Sequence, residues 1–342
     1  MKYGSEQSSI GLLYAARRWI IGSDRWHIVK GLGTLSAMQR PIIYDIQNLS
    51  KTYPGQEKPA NQDITFEIFQ GEIFGILGDN GAGKSTLVRQ MVNLLSTSGG
   101  SIEFLGRSVA DHPDLVTTQV GYMPQEALAL NNLSVGEALY FSAHLRGMSR
   151  KEARQERDRL LMLWELESLR DHYTPRLSGG QRRLLRLAVS MAGSPPVLIL
   201  DEPTNDLDPQ HRKMVWDTLR QMNQESAVTV IFITHDVIEA EKIIQRVAIM
   251  RDGRLVALGR PGQLKQQLDS KLRLELFFDP QRAPVLPPDC DYHAIEPGRW
   301  LVLLDSEQVG AVMTSLDLTC LDDFRLYSAT LEDLYLHYAE RP

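Results

Sequence analysis

Cysteine is almost missing from this sequence. Only Cys290 and Cys320 occur in 342 residues, both in the last quarter and in no metal-like spacing, which leaves a reduced cytosolic setting as the expectation. Long apolar runs are missing as well. The most apolar early segment, Ile10 to Ile21, is interrupted by Arg17 and Arg18 and falls short of the ~20 residues that cross a bilayer. It has no small-residue cleavage site after an unbroken apolar stretch, so it does not read as a secretory signal. No sustained heptad run is present, which excludes long coiled coils. A basic surplus is lacking outside the first residues: the net charge is -6, residues 1–40 carry +4, and the remainder is left at -10. An acidic body argues against nucleic acid as a partner. What is left is an ordinary composition, 43% hydrophobic and 23% charged, with chain enough for one large domain and a smaller one.

The strongest positive feature is Gly78-Asp79-Asn80-Gly81-Ala82-Gly83-Lys84-Ser85-Thr86, which fits the phosphate-cradling pattern G-x-x-x-x-G-K-[ST] at every fixed position. Its context fits too. Ile73 to Leu77 reads as a buried parallel strand, and Ser85 onward, through Thr86, Leu87, Val88, Met91, Val92 and Leu95, reads as a helix. Glycines let the backbone wrap a β-phosphate with its N–H groups, Lys84 reaches the β and γ oxygens, and the Ser85 hydroxyl is placed for Mg2+ at the helix N-terminus.

Around that loop the chain divides into three parts. Residues 1–40 form a basic N-terminal extension: Leu12, Leu13, Trp19, Ile20 and Ile21 with Arg17, Arg18 and Arg25 read either as an interfacial helix on an anionic membrane or as a disordered leader ahead of a start at Met38. Residues 41–265 open with alternating strands at Ile42 to Leu49 and Ile64 to Ile68, joined by a loop whose Tyr53 reads either as an ordinary loop aromatic or as one that can stack on an adenine. Residues 127–193 read as helices, with capping boxes at Ser134/Glu137 and Ser149/Glu152 and a third helix starting at Ser178. Two apolar runs follow, Val197 to Leu200 and Val228 to Ile233, then a hairpin from Val247 to Leu258 on an Asp252-Gly253 turn. Residues 266–342, with alternating Leu272, Leu274 and Leu276, a Pro-rich loop and a strand at Trp300 to Leu304, read as a small α+β appendage.

Chemistry gathers at the polar ends of the apolar runs. Asp201-Glu202 closes the first, and an acidic pair at the end of a buried strand is costly unless it meets a cation. Mg2+ from the phosphate loop is the natural partner for Asp201, which leaves Glu202 to polarise an attacking water. His235 closes the other run, where it can face a γ-phosphate, and Gln125 follows the Val120 to Met123 strand within reach of the metal or the water. Leu177-Ser178-Gly179-Gly180-Gln181 supplies a second anion site, because Ser178 caps a helix whose first turn exposes free N–H groups beside two glycines. A second anion site needs a second phosphate, and its simplest role is to close over the nucleotide of another subunit.

These motifs together resemble the ATP-binding-cassette family over about residues 41–265. The resemblance implies a P-loop NTPase of α/β class, with an antiparallel β subdomain, a helical signature subdomain at about 127–193 and the C-terminal appendage. By it, Tyr53 is the adenine-stacking aromatic, Gly78 to Ser85 the Walker A loop, Gln125 the Q-loop residue, and Leu177 to Gln181 the signature motif. Asp201 ends Walker B, Glu202 is the catalytic carboxylate, His235 the switch histidine, and Asn205-Asp206-Leu207-Asp208 the D-loop, with Asn205 in place of serine and Asp208 at the dimer contact. The chain end, Ala329 to Leu336, is similar to the terminal motif of the daunorubicin-resistance branch, whose ATPases pair with separate type-2 exporter permeases. The implied protein binds ATP and Mg2+, dimerises head to tail with a second copy or a homologous ATPase, and drives an integral membrane permease from the cytoplasmic face of the plasma membrane. The competing implication is a soluble, non-transport cassette acting as an ATP-dependent switch.

Overall fold

The computed structural model describes residues 40–342 apart from 127, 235–240, 269–270, 288–289, 329, 331–332 and 334–342. The readings for residues 1–39, for His235 and for most of the chain-end motif lie outside the described residues.

Period-two patterning sets the first layer. β1 (Ile42–Lys51) pairs antiparallel with β2 (Asn61–Phe69) and with β4 (Gly99–Phe104), which in turn pairs with the short β5 (Arg107–Ser108). Between β2 and β4 lie β3 (Ile73–Gly78), buried along its whole length, the phosphate loop, and helix α1 (Lys84–Met91). The helix is shorter than its apolar spacing predicts. Val92 caps it, Asn93 takes a left-handed φ of 56°, and the N–H groups of Leu94 and Leu95 both turn back to the Arg89 carbonyl.

A second sheet carries the site. Helix α2 (Pro113–Gln119) leads into β6 (Val120–Met123), and β7 (Val197–Asp201), β8 (Thr229–Thr234), β9 (Arg246–Arg251) and β10 (Arg254–Gly259) complete the order β10-β9-β3-β8-β7-β6. All its pairs are parallel except the β9–β10 hairpin, which turns on Asp252 and Gly253, both with positive φ. The strands are apolar on both faces because both faces are covered. Val197, Ile199, Ile231 and Ile233 pack toward the antiparallel layer and α1. Leu198, Leu200, Val230 and Phe232 pack toward the helices α3 (Val135–Leu145), α4 (Arg150–Leu163), α5 (Gly179–Met191) and α6 (Pro209–Ser226). Each fully buried Ile, Leu or Phe here contributes about 1.5–3 kcal/mol.

The predicted capping boxes at Ser134/Glu137 and Ser149/Glu152 begin α3 and α4. Past α7 (Pro261–Leu268) comes a third sheet, ordered β12-β13-β11-β14: β11 (Leu272–Phe278), β12 (Tyr292–Glu296), β13 (Arg299–Leu304) and β14 (Leu321–Ser328), with α8 (Gln308–Ser315) on one face. It has its own small core of Leu274, Leu276, Phe278, Val302, Leu304, Val312 and Leu316.

Candidate active site

The carboxyl ends of β3, β6, β7 and β8 open at one edge of the sheet, the place where an open parallel sheet presents its loops to a ligand. β3 delivers the loop Gly78–Gly83. At its exit Gly83 takes φ 95°, and a Cβ there would lie 2.3 Å from the Ala60 carbonyl, so glycine is required. The loop is held from outside as well. Asn61 Nδ2 donates to the Gly83 carbonyl at 3.1 Å, and the Gly253 N–H donates to the Ala82 carbonyl at 3.2 Å. Lys84 is buried, and its Nζ donates inward to the carbonyls of Gly78 at 2.6 Å and Asp79 at 2.9 Å. Burial lowers its pKa, opposed by the charges of Glu202, Asp201 and Asp79. The lysine therefore sits within the field of the acidic pair.

That pair ends β7. Asp201 and Glu202 are 4% and 7% exposed, so two carboxylates share a nearly dry edge. Burial first, then the Glu202 charge, push the Asp201 carboxyl up to about 6, against Lys84, Arg183 and Arg89. Glu202 holds a left-handed φ of 52°; its N–H donates to the Ile233 carbonyl at 2.9 Å, and its Oε2 accepts from Thr234 Oγ1 at 3.0 Å. Tyr53 lies half-buried with its hydroxyl 3.3 Å from Thr86 Oγ1, which fixes the loop aromatic beside α1. Asp79, Asn80, Gly81, Ser85 and Gln125 are exposed, and the Gln125 carbonyl accepts from Arg186.

The segment Leu177–Gln181 is built as its sequence predicts. Ser178 caps α5: its Oγ accepts from the Gln181 N–H at 3.2 Å, while Gln181 Oε1 accepts from the Ser178 N–H at 2.9 Å. Among the described residues no hydrogen bond joins Ser178–Gln181 to Gly78–Thr86. Asp208 caps α6 and is engaged there by the N–H groups of Gln210 and His211 and by the His211 ring, which together with the cap hold its carboxyl below the ordinary range.

The phosphate loop, the acidic pair and Thr234 thus converge on one sheet edge, and the glycine cradle with a nearby carboxylate pair fits a nucleotide phosphate and its metal. Residues 61–205 match the family described as ABC transporter. The daunorubicin/doxorubicin resistance ATP-binding protein DrrA of Streptomyces peucetius is 36% identical over 240 residues, which cover 70% of this chain and 72% of DrrA. The chain belongs to the ABC transporter family. Human phospholipid-transporting ATPase ABCA7 is also 36% identical, over 231 residues that make up 68% of this chain and 11% of ABCA7. The chain therefore spans about a tenth of that relative's length. Among solved structures, the ATP-binding subunit of an ABC transporter matches with a TM-score of 0.61 and 27% identity, over 66% of this chain and 93% of that one. The dimeric post-hydrolysis cassette MJ0796 bound to ADP and Pi matches with a TM-score of 0.60 and 25% identity, over 64% and 98%. As an ABC ATPase, the cassette is a P-loop hydrolase that works on ATP with Mg2+.

Several residues of the site escape sequence reasoning. Thr234 is visible only as the polar residue that closes the β8 run. Asn61, Arg183 and Arg186 act through backbone carbonyls far along the chain, and no local pattern announces them.

Proposed function

We propose that this chain is the ATP-hydrolysing subunit of an exporter, which dimerises head to tail around two ATP molecules and drives a separate integral membrane permease from the cytoplasmic face of the membrane. The observation that carries the reading is the presence of two glycine-rich anion sites on separate elements, the Gly78–Gly83 loop and the capped start of α5, with no hydrogen bond between them among the described residues. Two half-sites that do not meet within one chain close on the same nucleotide only if that nucleotide is shared between two chains. The resistance function in DrrA's name favours export, and MJ0796 is a dimeric cassette.

In this reading Gly78, Asp79, Asn80, Gly81, Ala82, Gly83, Lys84, Ser85 and Thr86 cradle the phosphates and Tyr53 stacks on the adenine. Leu177, Ser178, Gly179, Gly180, Gln181 and Asp208 meet the partner's nucleotide. Ser85, Gln125 and Asp201 would hold Mg2+, which when bound neutralises charge on the phosphate oxygens. Glu202 accepts the proton of the attacking water as its oxygen bonds to the γ-phosphorus and ADP leaves, with His235 assisting at the γ-phosphate. Thr234 keeps the Glu202 carboxylate turned to the task.

Residues 41–265 act as the cassette and 266–342 as an accessory domain. The permease docks on the groove between the Gln125 loop and the helical region 127–175, where Phe141, Leu145, Met162 and Tyr173 are exposed apolar side chains. The test is a pull-down from detergent-solubilised native membranes with a tagged Glu202→Gln chain held with ATP. Recovery of an integral membrane protein supports the reading; recovery of soluble partners alone, with the chain absent from membranes, replaces it with the soluble switch.

A further inference from the structure

Arg183 lies on α5, five residues past the capping Ser178, and is buried although charged. Its guanidinium is committed to the segment that follows the carboxylate pair. Nε donates to the Asn205 carbonyl at 3.1 Å and Nη2 to Asp206 Oδ2 at 3.2 Å, while Nη1 is buried with no hydrogen-bond partner among the described residues. The same segment touches the first turn of α5 independently of the arginine: a Cβ on Gly180 would lie 3.4 Å from the Asp206 carbonyl oxygen and 3.5 Å from Leu207, and one on Gly179 would lie 4.0 Å from the Asp206 Cβ. One helical turn further along α5, on the same face, Arg186 donates to the Gln125 carbonyl. The helix that opens with the signature residues therefore grips two segments bordering the catalytic edge.

The gripped segment is short. It leaves the sheet at Glu202, with φ 52°, a left-handed conformation that costs a glutamate about 1–2 kcal/mol, and reaches Asp206, with φ 61°, which an aspartate tolerates better. Such conformations persist only where the surroundings over-determine them. Here the Ile233 carbonyl fixes the first and Arg183 the second. Only three residues separate Asp206 from Glu202, and the Asn205 N–H turns back to the Glu202 carbonyl at 3.5 Å, so the segment is a short path from Asp206 to Glu202.

We propose that Arg183 is a positioning residue coupling the two nucleotide sites of the dimer: it locks residues 203–206 to the first turn of α5, so that closure of that turn on the partner's phosphate resets the Glu202 that serves this chain's own nucleotide. The proposal rests on the head-to-tail reading given above. Arg183 touches no nucleotide itself. The field of its charge also reaches Asp201, whose pKa it lowers.

Three single variants and one double test it. Asp206→Gly removes the acceptor on a side chain that is 70% exposed and keeps the left-handed backbone at no steric cost, so it folds even where Arg183→Met does not. Both are expected to lower kcat about tenfold while the Kd for ATP stays within about twofold. Arg183→Lys should fail to restore the rate, since an ammonium keeps the charge but not the two-pronged fork. The double variant Arg183→Met/Asp206→Gly should be no slower than the slower single, the mark of one shared contact. Folded Asp206→Gly at the parent rate, or a double whose loss is the product of the two single losses, overturns the proposal. Gel filtration of the Glu202→Gln chain with ATP separates the two ideas. A dimer whose Asp206→Gly counterpart keeps the parent kcat sinks the coupling alone; a chain that stays monomeric removes the dimer reading and the coupling with it.

Discussion

Thr234 donates from Oγ1 to Oε2 of Glu202 at 3.0 Å, across two adjacent strand ends where both residues are buried. In the role proposed for it, the Glu202 carboxylate takes a proton from water and needs one orientation, which this hydrogen bond restricts. Glu202→Gln is expected to retain ATP binding and lose roughly 10²–10⁴ in kcat, the range for a general base. Thr234→Val should cost about 10-fold to 100-fold, as the loss of a hydrogen bond to a charged group implies. The two together should be no slower than Glu202→Gln. Steady-state phosphate release and equilibrium nucleotide binding measure all three, and turnover of Glu202→Gln near the parent rate would remove the assigned role.

The raised pKa of Asp201 has a signed effect on stability. Its folded pKa of about 6 lies above the ordinary 3.8, so the native state binds this proton more tightly than the unfolded chain does. Stability from this group is therefore complete below about pH 4 and lost as pH rises through about 6, a loss on the order of 3 kcal/mol. Nucleotide-free Asp201→Asn should melt several degrees above the parent at pH 8 and level with it at low pH, by calorimetry. The same substitution should abolish Mg2+-dependent hydrolysis. An Asp201→Asn chain less stable than the parent at pH 8 would contradict the assigned burial cost.

Two glycines of the phosphate loop should respond differently to alanine. At Gly83 the new Cβ would strike the Ala60 carbonyl at 2.3 Å, whereas at Gly81 nothing lies within 4 Å and only the positive φ of 87° is unfavourable. Gly81→Ala should cost about 1–2 kcal/mol of stability and Gly83→Ala clearly more, because backbone must move. Urea unfolding of both variants provides the comparison, and equal costs would show that the loop gives way at Gly83.

Tyr53 offers a graded test of nucleotide contact. Base stacking on an aromatic is worth about 1–3 kcal/mol, so Tyr53→Ala should weaken ATP binding by roughly 5-fold to 150-fold. Tyr53→Phe keeps the ring and loses only the contact with Thr86, and should bind within about threefold of the parent. If Tyr53→Ala binds ATP as the parent does, the ring does not stack on the base.

The parts legible in the sequence are those in which local pattern and burial agree. Val197 to Leu200 and Val228 to Ile233 read as parallel strands because both faces are covered, and they lie side by side. Ser134, Ser149 and Ser178 announce their helices because a capping box is complete within four residues. The short β5 and the fully exposed β12 were illegible, since neither carries an apolar alternation that a core would impose. Sheet-edge strand β14 carries no readable signal for a related reason: Asp322, Asp323 and Arg325 break its pattern, and its pairing with β11 supplies what its own sequence does not. Within the candidate site, the motif residues stand out by type and spacing, while Asn61, Arg183 and Arg186, which reach backbone carbonyls far along the chain, carry no such pattern.

The phosphate loop is braced by Asn61 from the antiparallel layer and by Gly253 from the β9–β10 turn. A receptor built in this way has its shape before the guest arrives, so little of the binding free energy is spent on ordering it. Nucleotide capture is then a matter of docking into a finished mould, and the information that a nucleotide has been captured has to be carried by other, more compliant stretches of the chain. Mutations in the braces should slow loading without altering what happens after it, whereas mutations beyond Glu202 should leave loading intact and desynchronise the cycle.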